Sequence, residues 1–156
     1  MRFSGPVVAL VMLAALTAGC GWSPPAPPPT STVDCGPGPS PDAVTSELQL
    51  LPAASWRDTA RGSSPDCQLQ WVVVTAGDAS DSPQQVLFFD GVNPIGSPTP
   101  DPRPYITVTP QGDHTANVQY QWRQGQDPAC CPTGIGSARV TIEDGRLTVL
   151  DPIPGP

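Results

Sequence analysis

The five cysteines carry the most distinctive chemistry in this chain, and the position of one sets it apart from the other four. Cys20 follows the small pair Ala18-Gly19 and the apolar stretch 7–16, and Arg2 supplies a basic residue before that stretch. A basic residue, an apolar stretch and small residues at a cleavage site are the parts of an export signal. As a helix, the stretch 7–16 is about 15 Å long, half of a hydrocarbon core. It therefore predicts a cleaved signal rather than a transmembrane helix.

The residue after the small pair separates a lipoprotein signal from an ordinary one. Residues 16–20, Leu-Thr-Ala-Gly-Cys, resemble a bacterial lipobox, in which the cysteine receives diacylglycerol before cleavage. We expect a signal peptide over residues 1–19 and lipid attachment at Cys20, with acyl chains such as palmitate. Two or three chains hold a protein on a membrane, because each buried CH₂ contributes about 0.8 kcal/mol. The alternative is an ordinary secreted protein with an unpaired Cys20.

The remaining cysteines, Cys35, Cys67, Cys130 and Cys131, form an even set, as expected of disulfides outside the reducing cytosol. Four cysteines allow three connectivities. One joins Cys35 to Cys67 and leaves a vicinal Cys130–Cys131 bridge; the others pair Cys35 and Cys67 separately with the two neighbours. We favour Cys35–Cys67, because it closes a short loop between the first helix and the first strand. That closure would contribute about 3–4 kcal/mol in the chain-entropy model. The other pairings stay open.

Catalytic chemistry has two candidate sites in this sequence. His114 is the single histidine and lies in the turn-like sequence 111–114, and Cys130-Cys131 precede Pro132. These residues allow the alternative hypothesis of an envelope hydrolase or a thiol-redox protein. A lone histidine in a loop and adjacent cysteines form neither a triad nor a chelating metal site. We therefore predict that the chain is not an enzyme and has no catalytic residue, no metal ligand and no cofactor.

The charge of the chain excludes one class of partner. The net charge is −7, with seven basic and fourteen acidic residues, and no Lys is present. An acidic surface without basic clusters repels phosphate backbones and anionic headgroups. Nucleic acid is therefore not expected as a partner, and contact with the membrane is expected through the lipid alone.

A proline-rich segment separates the anchor from the folded part. Residues 21–39 contain seven prolines, which predicts a semi-rigid polyproline II tether over residues 20–39. Thr30, Ser31 and Thr32 are candidate acceptors for O-linked sugars. The single folded domain is then predicted over residues 40–156.

Helix and strand signals follow in that order along the domain. Ser40-Pro41-Asp42 is typical of a helix start, and a helical apolar stripe follows it. Residues 71–74 and 86–89 are apolar runs typical of strands buried on both faces, and residues 118–122 alternate. Asp144-Gly145 predicts a two-residue hairpin that sets Ile142 against Leu147. We predict an α+β, disulfide-stapled domain, with the N-terminal helix packed on a mostly antiparallel sheet of about five or six strands.

Several motifs resemble one known family. Val-Gln-Tyr-Gln-Trp (118–122), Asp127, Cys-Cys-Pro-Thr-Gly (130–134), Val-Thr-Ile (140–142), Asp-Gly (144–145) and Leu-Asp-Pro-Ile-Pro (150–154) resemble the LppP/LprE lipoproteins of mycobacteria and related actinobacteria. Leu87-Phe88-Phe89 with Gly91 and Ile95-Gly96 resembles the middle of that family's pattern. The resemblance implies an exported, membrane-anchored envelope protein of uncharacterised role, and it brings no active-site residues.

Together these features predict a lipid-anchored, extracytoplasmic lipoprotein of the cell envelope. Its domain is expected to be a non-catalytic binding or interaction module. The candidate partners are an envelope lipid, a glycan or another exported protein, and the sequence does not rank them.

Overall fold

The computed structural model describes residues 33–156. The predicted signal peptide (1–19), Cys20, the candidate sugar acceptors and most of the predicted tether lie outside these residues. The described elements are α1 (Pro41–Leu48), β1 (Trp56–Ser63), β2 (Leu69–Ala76), β3 (Gln84–Asp90), β4 (Asn93–Gly96), β5 (Ile106–Gly112), β6 (Thr115–Trp122), β7 (Gly134–Glu143) and β8 (Arg146–Val149). No helix among them has the length and hydropathy needed to cross a membrane.

Helix α1 begins as the sequence predicted. The Ser40 side chain accepts a hydrogen bond from the Ala43 N–H at 3.2 Å, and Pro41 occupies the first helical position. This cap satisfies one of the N–H groups that the first turn leaves unpaired. Val44 is buried against the first sheet, where Leu48 and Leu51 also pack.

The first sheet has the order β1-β2-β3-β4, with all neighbours antiparallel. Its two central strands are buried on both faces, which confirms the prediction for the two apolar runs. Val72, Val74, Leu87 and Phe89 face α1. The alternate residues of the same strands face the second sheet in the main core: Leu69, Trp71, Val73, Val86 and Phe88.

The second sheet has the order β5-β6-β7-β8 and is also antiparallel throughout. Its inner face contributes buried side chains that include Val118 and Tyr120. The predicted hairpin is confirmed: Asp144 and Gly145 both have positive φ, 51° and 70°, and Ile142 lies opposite Leu147. Positive φ at both turn residues is what a type I′ turn requires.

The predicted fold class is wrong. The described chain is mostly β, with two four-stranded antiparallel sheets and one short helix, rather than a helix on a single sheet of five or six strands. Two strands were missed, and both are edges of the first sheet. β1 is polar and largely exposed, and β4 has only four residues, one of them Pro94. An edge strand needs no apolar alternation and tolerates proline, so neither strand has the pattern that predicts β-structure.

Part of the predicted tether contacts the domain. Cys35 is disulfide-bonded to Cys67, with their Cα atoms 5.2 Å apart. One amino group of the Arg61 guanidinium, on β1, donates to the carbonyls of Pro37 (3.4 Å) and Pro39 (2.7 Å). The segment 35–39 is therefore fixed against the first sheet by one covalent bond and by these hydrogen bonds.

Candidate functional site

His114 does have a carboxylate partner. Its ring Nδ1 is hydrogen-bonded to Asp66 Oδ2, and its backbone N–H donates to Asp66 Oδ1 at 3.0 Å. Burial raises the pKa of Asp66, but hydrogen bonds from Ser64, His114 and Gln68 outweigh it and lower that pKa to about 2. Asp66 lies in the β1–β2 turn and His114 in the β5–β6 turn. The pair therefore joins the two sheets at one end.

This cluster lacks the order of a hydrolytic triad. In a triad the histidine lies between the carboxylate and the nucleophilic hydroxyl. Here the Ser64 hydroxyl donates to Asp66 directly, and its oxygen accepts from the Leu69 N–H at 3.0 Å. Ser64 is also buried, with 1% of its surface exposed. The arrangement fits a structural role, in which hydrogen bonds hold the β1–β2 turn and the β5–β6 turn together.

Cys130 and Cys131 are disulfide-bonded to each other. Together with Cys35–Cys67, this is the first of the three connectivities that the sequence leaves open. Both residues are exposed in the loop between β6 and β7, which we call the cysteine loop (residues 123–133). Asp127 organises this loop by accepting from the N–H groups of Gln124 and Thr133, both at 2.8 Å. These hydrogen bonds, with one from the Thr133 hydroxyl, lower the pKa of Asp127.

A cleft of about 290 Å³ lies beside the cysteine loop. We call it the aromatic cleft and define it by six residues: Asp81, Arg103, Tyr105, Gln121, Trp122 and Arg123. The prolines at positions 104 and 156 complete its apolar lining. A concave site with apolar walls and a few convergent polar groups is the usual form of a ligand site.

Tyr105 enters the aromatic cleft in an unusual backbone conformation. Its φ is 60°, in the left-handed region that bulky residues avoid. Such a conformation costs about 1–3 kcal/mol and persists only where the surroundings fix it. Here the backbone is held by the start of β5, and the phenol hydroxyl donates to the Ala129 carbonyl in the cysteine loop. The fold thus holds this ring against the cysteine loop at a cost in backbone strain.

Trp122 is positioned by two glycines of the neighbouring strand β7. A Cβ at Gly134 would lie 2.4 Å from the Trp122 indole, and one at Gly136 would lie 3.5 Å from it. The ring therefore lies directly over the backbone of β7, where a larger residue would displace it. This packing leaves the indole partly exposed at the wall of the cleft.

Two arginines of the cleft, Arg103 and Arg123, form no ion pair among the described residues. Arg103 donates to the Pro154 carbonyl at 2.7 Å, and its guanidinium carbon lies 4.7 Å from the centroid of the Tyr120 ring. Arg123 donates through Nε to the Asp127 carbonyl at 2.8 Å. Each guanidinium has five N–H donors, so both keep donors for a ligand.

A second cleft, of about 400 Å³, opens between the edge strands β1 and β5. Its lining includes the apolar side chains of Trp71, Val73, Ile106 and Val108, together with Arg61. Arg61 is already paired with Asp58. In residues 33–156 no three His, Cys, Asp or Glu side chains are grouped so that they could hold a metal ion.

The sequence did not indicate the aromatic cleft. Tyr105 follows a segment with proline at every second position, which is typical of a surface loop. The alternation of residues 118–122 predicts Trp122 only as the end of a strand. The available signal was the position of two aromatic residues at strand ends, one of them next to the distinctive Cys-Cys-Pro sequence. Neither His114 nor the Cys130–Cys131 pair is among the residues that line the cleft.

Comparison with known proteins identifies relatives of this chain. A family model described as LppP/LprE lipoprotein matches residues 61–145. The lipoprotein LppP of Mycobacterium bovis is 46% identical over 145 residues, which cover 88% of this chain and 83% of the relative. LppP from two strains of Mycobacterium tuberculosis matches with the same identity and coverage. No solved structure matches significantly.

Proposed function

This chain belongs to the LppP/LprE lipoprotein family, and on that premise we propose that it is a cell-envelope lipoprotein anchored through Cys20. In this proposal the folded domain is displayed outside the cytoplasm as a non-catalytic binding module. The alternative of a hydrolase or a thiol-redox protein would use His114 or the Cys130–Cys131 pair.

The anchor is supported by the lipobox-like residues 16–20 and by the disulfides of the domain. The Cys35–Cys67 bond ties the chain to the domain 15 residues beyond the predicted lipid site. Disulfides persist in oxidising compartments and are rare in the cytosol. A structural disulfide therefore agrees with export, which a lipid anchor at Cys20 requires.

The observation that carries a binding role is the aromatic cleft. Tyr105 is held in it with positive φ, and two arginines line it without an ion pair in the described residues. The groups suited to catalysis are engaged elsewhere: the Ser64 hydroxyl binds Asp66, and the two thiols of the cysteine loop are bonded to each other. A binding role without catalysis therefore accounts for the residues that the structure holds at the aromatic cleft.

The anchor is tested by expressing the full chain and its Cys20→Ser variant in an actinobacterial host, with detergent phase separation and intact mass as readouts. We expect the parent in the detergent phase with a mass increase from acyl chains, and Cys20→Ser in the aqueous phase without it. The double variant Cys130→Ser/Cys131→Ser is the matched control and should partition like the parent. A Cys20→Ser protein that stays in the detergent phase would contradict the proposal.

The non-catalytic part has its own readout on the same material. Alkylation of the native parent without reductant should label neither Cys130 nor Cys131, because the structure bonds them to each other. A labelled thiol in the cysteine loop would instead favour the redox alternative.

A further inference from the structure

The walls of the aromatic cleft combine two ring faces with polar groups. Tyr105 and Trp122 are both partly exposed, and both are amphipathic, with an apolar ring and a polar tip. A ligand that lies against such rings needs an apolar face of its own. The pyranose ring of a sugar has one, formed by its axial C–H groups.

The polar side chains of the cleft match hydroxyl groups. Asp81 accepts hydrogen bonds, and Arg103 and Arg123 donate them. A sugar hydroxyl also donates and accepts, so a cleft that offers both kinds of group can satisfy several hydroxyls of one ring. An acyl chain offers none of these side chains a hydrogen-bond partner.

The net charge of the chain favours a neutral ligand over an anionic one. Asp81 places a carboxylate beside the two guanidinium groups, and the chain as a whole has a net charge of −7. A negative field lowers the local concentration of anions. The volume of about 290 Å³ is at the lower end of the range for ligand pockets, which suits a small ring system better than a long chain.

We propose that the aromatic cleft binds a neutral saccharide, with Tyr105 and Trp122 against the ring and Arg103, Arg123 and Asp81 on its hydroxyls. This inference rests on the proposed function as a binding module and gives that module its ligand class. In the cell envelope such a ligand is a terminal or exposed unit of an envelope glycan.

The test uses the full lipidated chain in detergent micelles. The probe is the neutral oligosaccharide fraction released by mild acid from the envelope of the same host, and the acidic fraction is the comparison. Binding is followed by the NMR shift of the Trp122 indole N–H during titration. We expect a saturable shift of this signal with the neutral fraction and a shift at least tenfold weaker with the acidic fraction.

Paired variants separate the cleft from the rest of the domain. Tyr105→Asn removes the ring but keeps a residue that tolerates positive φ, and it should weaken binding at least tenfold. Tyr105→Phe keeps the ring and should bind within about threefold of the parent. Arg123→Gln should weaken binding, whereas Arg146→Gln, on β8 and away from the cleft, should not. Near-UV circular dichroism verifies that each variant is folded.

The inference is overturned if the neutral fraction leaves the Trp122 signal unchanged, or if Tyr105→Asn and Arg123→Gln, both folded, bind as the parent does. A shift confined to Trp71 would also overturn it, because Trp71 lines the other cleft. None of these results bears on the anchor at Cys20, which the partition experiment tests separately. Capture of an exported protein instead of a saccharide would overturn the glycan ligand, although it would agree with a binding module.

Discussion

The hydroxyl of Tyr120 is buried between the two sheets and has no hydrogen-bond partner in the described part of the chain. Burial raises the pKa of this phenol to about 12, although the nearby Arg103 charge acts in the opposite direction. A buried polar group without a partner costs about 1–3 kcal/mol. The unpaired hydroxyl of Tyr120 therefore makes the folded state less stable than a ring without a hydroxyl at this position would.

We expect Tyr120→Phe to raise the free energy of unfolding by about 1 kcal/mol, because the ring stays and the unpaired hydroxyl is removed. Urea denaturation at neutral pH measures the change. Tyr105→Phe is the matched control: its hydroxyl donates to the Ala129 carbonyl, so its loss should lower stability by about 0.5–1.5 kcal/mol. A larger loss of stability in Tyr120→Phe than in Tyr105→Phe would show that the buried hydroxyl is satisfied after all.

Among the strands, β1 depends on one small residue. Gly62 faces Trp71 of β2, and a Cβ at this position would lie 2.4 Å from the Trp71 indole. Trp71 belongs to the main core and is 3% exposed, so its ring has little room to move. Because Gly62 has no side chain, the edge strand β1 can pack against the indole of Trp71.

Gly62→Ala should lower the free energy of unfolding by about 1–3 kcal/mol, the usual cost of forcing atoms into a packed core. Gly112→Ala is the control, since Gly112 also lies in a strand and a Cβ there meets no atom within 4 Å. It should change stability by less than about 0.5 kcal/mol. Equal effects in urea denaturation would mean that Trp71 moves aside without cost.

The elements differ in how well the sequence predicted them, and the reason is where each one lies. β2 and β3 are central and buried on both faces, so their apolar runs predicted them directly. The β7–β8 hairpin was predicted down to its register, because Asp144-Gly145 and the apolar alternation agree. β1 is an edge strand in which exposed polar residues are compatible with strand or loop. A local sequence pattern also cannot assign strands to sheets, so the two-sheet arrangement could not be predicted from it.

The aromatic cleft was unpredictable for a different reason. It forms where the segment before β5, the end of β6 and the carboxyl-terminal residues meet, and these are distant in sequence. The positive φ of Tyr105 has no sequence signal, because left-handed backbone is normally marked by Gly or Asn. His114, by contrast, was recognised as the single histidine, and only its pairing with Asp66 needed the structure.

At the level of the whole molecule, the two disulfides constrain very different lengths of chain. Cys35 and Cys67 are 32 residues apart, and the loop between them contains α1 and β1. Cys130 and Cys131 are adjacent, so their bond closes no loop of chain. In the chain-entropy model, only the first bond restricts the unfolded state substantially.

We expect the double variant Cys35→Ala/Cys67→Ala to lose about 3–4 kcal/mol of unfolding free energy, the entropy of the loop it opens. Cys130→Ala/Cys131→Ala should lose less than about 1 kcal/mol, because it opens none. Urea denaturation of the oxidised proteins provides the comparison. Similar losses in the two variants would show that the vicinal bond stabilises the cysteine loop far beyond its chain entropy.

The Cys35–Cys67 bond also determines where mechanical load enters the domain. Force applied through the segment before Cys35 passes along the disulfide bond to Cys67, which lies in the β1–β2 turn. The residues between the two cysteines cannot be extended while that bond is intact. Helix α1 and strand β1 are therefore shielded from tension. In a domain held at one end by a membrane and at the other by a rigid wall polymer, α1 and β1 would stay folded while the chain after Cys67 carries the tension.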